Sequence, residues 1–191
     1  MRQSGNTPSD EQLLRLLGGK REARERGFRL LVATYGDRLY AHVHRLTGNH
    51  ADTDDALQEA LVKVFRHIDR FNGESKLYTW LYRIATNEAL SLLKRRKRAR
   101  MISTDNTVGT VAEPRGDAHF DAATAHQLLL RAVGSLPEKQ RLVFNLRYFD
   151  ELSYREISEI VDTSVGGLKA SYHHAVKKVE AFLKTQPALR G

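Results

Sequence analysis

The chain has 191 residues, 41% of them hydrophobic and 28% charged, with a formal net charge of +8. This is the composition of a globular protein rather than a disordered chain, and the absence of cysteine excludes disulfides and thiolate metal sites. The opening MRQSGNTPSDEQLL has no apolar core of a signal peptide, and no apolar run nears the roughly twenty residues of a membrane helix, so no membrane insertion is expected.

Residues 1–9 read as a disordered tail. A short helix is predicted over about 10–17, with Asp10 ahead of Leu13, Leu14 and Leu17. A second runs over about 26–47 and stops at Gly48-Asn49. The third, over about 51–70, sets Leu57, Leu61, Val64, Phe65 and Ile68 on one face. Its first turns are acidic, as the helix dipole favours. Phe71, Asn72, Gly73, Glu74 and Ser75 then form a turn-rich loop. The fourth helix, over about 76–99, has Leu77, Trp80, Leu81, Ile84 and Leu92 as candidate core. Trp80 fits the core better than a base-stacking role, whereas Tyr78 and Tyr82 fit either. The end of this helix carries Lys94, Arg95, Arg96, Lys97, Arg98 and Arg100, six of the eight net positive charges within seven positions. So focused a tract suits a polyanion better than a diffuse excess does; the plainer alternative is a solvated helix end.

The stretch 101–125 is polar and acidic, with Asp105, Glu113, Asp117 and Asp121 among Gly109, Pro114 and Gly116, and reads as a flexible linker. Helical patterning returns over 126–185, before a tail at 186–191. A helix starts near Ser135-Leu136-Pro137-Glu138 and contains Val143, Phe144 and Leu146. Ser153 and Glu156 make an S-x-x-E capping box ahead of Ile157, Ile160 and Val161. Asp162, Thr163 and Ser164 interrupt that helix, and Ser164 caps another. Val165, Leu168, Tyr172, Ala175, Val179 and Leu183 form the inward stripe of this last helix, while Gly166, Lys169, Ala170, His173 and Lys177 face outward. Two helices across a three-residue turn, with small and basic residues early in the second, describe a DNA-reading helix-turn-helix; a plain helical hairpin is the alternative. With no repeat and no strand pattern, the expected fold is all-α, in two small helical domains at 10–100 and 126–185.

Taken together, these segments resemble the extracytoplasmic-function (ECF, group IV) sigma factors of the sigma-70 family. The run from Asp52 to Glu59 is similar to their core-polymerase-binding motif, Phe71–Ser75 with Tyr78–Asn87 to their promoter-melting region, and Leu136–Arg141 with Leu152–Ile157 to their fourth region. The resemblance covers about 10–183 in the family's order. It implies a DNA-binding specificity subunit and not an enzyme, working in the cytoplasm, on the nucleoid when in holoenzyme. The implied partners are core RNA polymerase (the clamp coiled coil of its largest subunit and its flap region), promoter DNA and an anti-sigma factor; no cofactor and no metal is implied.

By the same resemblance, Asp54, Asp55, Gln58 and Glu59 contact the polymerase clamp, an acidic face suiting a basic one. Phe71, Asn72, Gly73, Glu74, Ser75 and Asn87 take the minus-ten element, whose base must be extracted from the stack. The tract at Lys94–Arg98 and Arg100 grips phosphates without reading sequence. Lys169, Ala170, Ser171, His173, His174 and Lys177 lie where the family reads the minus-thirty-five element. There the chain departs from the common pattern, with Ser171, His174 and Val176 where arginines are usual, which weakens the expected phosphate grip. Two rival readings are a stand-alone helix-turn-helix regulator and a Mg²⁺ nuclease built on Asp52, Asp54, Asp55 and Glu59.

Overall fold

A computed structural model describes residues 8–102 and 122–186, and all regular structure among them is helical. Helix α1 (Asp10–Leu17) opens on a capping box in which Ser9 and Gln12 satisfy each other's backbone N–H groups. Its Leu13 and Leu17 are buried against α2 (Arg21–Thr47). The expected start of α2 near 26 is five residues late. The REARERG run has no apolar period, but Arg24 folds back to donate to the Phe65 carbonyl at 2.8 Å and to pair with Asp69 at 2.9 Å. Tertiary contact thus supplies what periodicity does not. Helix α2 closes on Gly48 in the left-handed region, φ 77°.

Asn49 caps α3 (His50–His67) by accepting from the Asp52 N–H at 2.9 Å. A 3₁₀ turn, Ile68–Arg70, leads into the Phe71–Ser75 loop and α4 (Leu77–Ile102). In α4, Leu77, Trp80, Leu81 and Leu92 are buried as expected, Tyr82 joins them, and Ile84 is half-buried. Next among the described residues come α5 (Ala122–Gly134), which starts four residues inside the stretch expected to be linker, α6 (Glu138–Phe144), a π-helical turn (Asn145–Phe149), α7 (Tyr154–Val161) and α8 (Val165–Lys184). The π turn was not legible from apolar spacing, because it adds one residue per turn without changing which residue types are buried.

The two halves share a core. Leu142, Val143, Leu146, Leu152, Ile157, Ile160 and Leu168 belong to the same buried cluster as Leu39, Val43, Trp80 and Leu81. A second cluster, Ala132, Val133, Leu136, Phe144, Ala175 and Val179, ties α5 and α6 to α8. Sequence reasoning left the arrangement of the halves open; the structure packs α7 against α4.

Candidate core-binding and nucleic-acid surfaces

The acidic face of α3 divides by direction. Asp54, Asp55, Gln58 and Glu59 are exposed, whereas Asp52 is buried and is held by Asn49 and by Arg96 from α4. Arg96 also lies 3.8 Å from Asp55. One cation of the basic tract is therefore turned onto the acidic helix, while Lys94, Arg95, Lys97 and Arg98 are exposed on the same helix end. The side chain of Arg100 and the linker carboxylates Asp105, Glu113, Asp117 and Asp121 lie outside the described residues. Beside the acidic face runs an open groove of about 750 Å³ between α2 and α3. Phe28, Leu57, Leu61, Val62 and Phe65 line it, with Asp54, Gln58 and Arg66 at its rim. Val62 is 38% exposed there. An apolar floor with a charged rim suits a helix of a partner protein.

The Phe71–Ser75 loop projects from the same module. Gly73 has φ 76° with open space where a Cβ would stand, so backbone conformation and not crowding calls for glycine. The Asn72 side chain accepts from the Glu74 N–H at 3.3 Å and braces the turn. Asn72, Gly73 and Glu74 are exposed, Ser75 is half-buried, and Phe71 packs edge-on to Trp80 with centroids 5.7 Å apart. Beneath the loop lies a cavity of about 460 Å³ lined by Leu14, Gly18, Ile68, Asp69, Phe71, Asn72 and Gly73. The share taken by Leu14 and Gly18 of α1 was missed from sequence, since nothing local to α1 points to a loop more than fifty residues away. Asn87 is exposed on α4, ten residues past Leu77.

In the other module the helix-turn-helix forms as its capping residues dictate. Ser153 and Glu156 complete their capping box, Asp162 turns the chain through φ 50°, and Ser164 accepts from the Gly167 N–H at 3.3 Å. Leu168, Ala175 and Val179 are buried beneath α8, while Lys169, Ala170, His173, His174 and Lys177 are exposed and Ser171 is half-buried. Val165 departs from the expected inward stripe and is 38% exposed, because it sits in the first turn, where the chain has just left α7. Tyr172 stacks on Phe144, centroids 5.8 Å apart, and meets Tyr154 edge-on at 6.3 Å.

Among the described residues, polar contacts around Asp150 and Glu156 join the modules, and none was anticipated. Buried Asp150 accepts from His42 Nδ1 at 2.9 Å, Arg45 at 2.5 Å and the Tyr82 hydroxyl at 3.3 Å. Glu156 accepts from Lys76 at 2.9 Å and from the Tyr78 hydroxyl. Burial alone would raise the Glu156 carboxyl, but Tyr78, Lys76 and Ser153 outweigh it and pull it from an ordinary 4.5 to about 2. A depressed carboxyl contributes its full stability above its unfolded value and loses it as pH falls through the folded one. The contact is therefore expected to weaken as pH drops from about 4.5 toward 2. An acid titration followed by the fluorescence of Trp80, the single tryptophan, should show a transition that Glu156→Gln removes; identical profiles would refute the assignment.

A helical chain with one module that bears an acidic face beside a groove and one helix-turn-helix module has the form of a DNA-binding factor that also engages a protein. The family model for Sigma-70 region 2 matches residues 31–99, and that for Sigma-70, region 4 matches residues 126–179. The ECF RNA polymerase sigma-E factor of Escherichia coli (strain K12) is 33% identical over 175 residues, covering 87% of this chain and 90% of the relative. The ECF RNA polymerase sigma factor SigW of Bacillus subtilis (strain 168) is 32% identical over 163 residues, covering 81% and 87%. The chain belongs to the ECF RNA polymerase sigma factors and is a DNA-binding factor of transcription initiation. Two solved structures share the fold. The sigma factor RpoE from Bartonella quintana, in complex with the anti-sigma factor NepR, gives a TM-score of 0.69 at 24% identity, over 83% of this chain and 98% of that one. CnrH, in complex with the cytosolic domain of CnrY, gives 0.65 at 22%, over 92% and 95%.

Proposed function

We propose that the chain is a group IV sigma factor that binds core RNA polymerase, carries it to bipartite promoters and opens the minus-ten element. The observation that carries this reading is the division of surfaces. Asp54 and Gln58 edge an apolar groove on α3, Asp55 and Glu59 are exposed on the same helix, and the Phe71–Ser75 loop and Asn87 lie in the same module. The first surface suits the clamp coiled coil of the largest polymerase subunit. The second suits an extracted base, with the carboxamide of Asn87 able to donate and accept at once. Lys94, Arg95, Lys97 and Arg98 add salt-dependent phosphate affinity.

In the other module, Lys169, Ala170, Ser171, His173, His174 and Lys177 meet the major groove of the minus-thirty-five element, while the module also contacts the polymerase flap. Residues 10–100 and 126–185 are the working modules, 101–125 the connection. An anti-sigma protein is a natural inhibitory partner. No helix among the described residues is long and apolar enough to cross a membrane. The site of action follows from the polymerase: cytoplasmic, on the nucleoid. The factor itself performs no catalysis.

Run-off transcription from genomic fragments, with core polymerase and with or without this chain, tests the reading; permanganate footprints on the templates report melting. New promoter-specific transcripts are expected only when both are present. Tight duplex binding without core, and no transcripts, would instead indicate a stand-alone regulator. Reversing one charge of the acidic α3 face with Asp55→Arg is expected to weaken core affinity at least about tenfold, since like charges brought together at an interface cost several kcal/mol. Asp55 is exposed and serves no core packing, so helicity should be unchanged. Undiminished affinity would remove α3 from the interface.

A further inference from the structure

We propose that Arg96 is a positioning residue of the polymerase-binding face and takes no part in the phosphate grip of the tract around it. The inference rests on the polymerase reading above and adds a residue to that surface. It begins with helical period. On α4, buried Ala85, Ala89 and Leu92 stand at steps of four and three, and the next step of four falls on Arg96. On α3, buried Asp52, Ala56 and Ala60 stand four apart. The two helices run antiparallel, since Lys63 meets Glu88 at 2.6 Å while Arg96, farther along α4, meets Asp52, earlier on α3. The packed stripe of α4 therefore ends on a guanidinium where that of α3 begins on a carboxylate. Lys94, Arg95, Lys97 and Arg98 stand off this stripe, and among the described residues Arg96 alone of Lys94–Arg98 makes an ion pair.

The pair holds the part of α3 that faces the partner. Asp52 is 3% exposed, and a carboxylate so far from water needs partners for its charge. Asn49 donates to its Oδ2 at 2.9 Å and accepts from the Asp52 N–H at 2.9 Å, closing the cap of α3. Arg96 pairs with the other oxygen, Oδ1. The same Nη2 stands 3.8 Å from Asp55 Oδ2, and Asp54 and Asp55 are the exposed acids that follow Asp52 on that turn. The side chain of Arg96 is 45% exposed and that of Asp55 64%, so this second contact leaves Asp55 open to a cationic partner. Removing the guanidinium would leave a buried carboxylate with no cation, which favours reorganisation of the first turns of α3. Because Asp54 and Asp55 ride on those turns, their aim toward the clamp would be lost as well.

Hydrogen exchange on the free full-length chain should show residues 50–56 losing protection in Arg96→Gln. Circular dichroism should stay helical, because the Lys63 and Glu88 pair and the alanine stripe remain. Core affinity should fall about two- to thirtyfold, the range over which residues that touch neither partner modulate binding. Arg96→Lys, which keeps the charge, should recover most of it. Asp52→Asn combined with Arg96→Gln removes the stranded carboxylate and should bind core better than Arg96→Gln alone, opposite in sign to two independent losses. In holoenzyme on a genomic fragment that gives a run-off transcript, the slope of log affinity against log salt should drop in magnitude by about one for Lys97→Gln and stay at wild type for Arg96→Gln. Unchanged exchange at 50–56, a slope lowered equally by Arg96→Gln, or a double variant weaker than the single would overturn the assignment. Should Arg96→Gln lose helicity, the double variant decides. A wild type that fails to bind core would sink the polymerase reading, while exchange at 50–56 still judges the pair.

Discussion

Leu168→Ala is expected to lower the melting temperature by roughly 6–12 °C and to abolish promoter-specific transcription. Leu168 is 1% exposed and lies in the first turns of α8, between Gly167 and Lys169. It belongs to the cluster that holds Ile157 and Ile160 of α7 and continues into the first module. Truncating a buried leucine costs about 2–5 kcal/mol, the upper end applying where the cavity cannot collapse. Two helices braced by a capped turn and by a second module leave little room for collapse. At roughly 2–4 °C per kcal/mol for a chain of this size, a loss near 3 kcal/mol gives the stated shift. The functional loss should exceed the stability loss, because the exposed Lys169, Ala170 and His173 are aimed by the packing beneath them. Calorimetry and run-off transcription measure the two effects; a variant that melts like wild type would mean that Leu168 does not set the recognition helix.

Gly27→Val is expected to displace α1 and with it the wall of the cavity beneath the minus-ten loop. A Cβ at Gly27 would stand 2.8 Å from the Leu16 Cβ and 3.0 Å from the Leu17 backbone nitrogen. Neither can yield by a side-chain rotation, so α1 must move away from α2. Overpacking of this kind costs about 1–3 kcal/mol, and exposing Leu13 and Leu17, both buried in α1, adds roughly 1.5–3 kcal/mol for each. Leu14 and Gly18 would leave the cavity shared with Phe71, Asn72 and Gly73. Promoter opening should therefore fall further than core affinity, since the groove at Leu57, Leu61 and Val62 lies on another face of α3. Hydrogen exchange would show lost protection confined to α1 and the loop. Unchanged protection over 10–17 would show that the helix pair tolerates the extra bulk.

Much of this fold is written locally. The capping box at Ser153, the glycine stop at Gly48 and the period of Leu77, Trp80 and Leu81 are short-range signals that tertiary packing reinforces, and each helix they predict is present. The outward face of α8 followed from the same periods, and Lys169 and His173 emerge at the surface; Asp54, Gln58 and Asn87, named by the resemblance, are exposed as well. What escaped depends on distance along the chain. His42 and Asp150 are 108 residues apart, and Lys76 and Glu156 are 80 apart; no period or spacing links them. Arg96 read as one more phosphate ligand, yet its position about two helical turns past Glu88 brings it to Asp52. A charge run alone does not say which of its members is already spoken for.

The single wide turn between Asn145 and Phe149 sets the register of everything after it. An ordinary α-helix advances about 100° per residue, so winding these five residues into regular α-helix with none removed would swing Asp150 by roughly that angle, away from the imidazole and guanidinium it now meets. The docking of the two halves thus depends on that turn staying wide. A change that closed it would keep every exposed reading surface and still undo the fit between the halves.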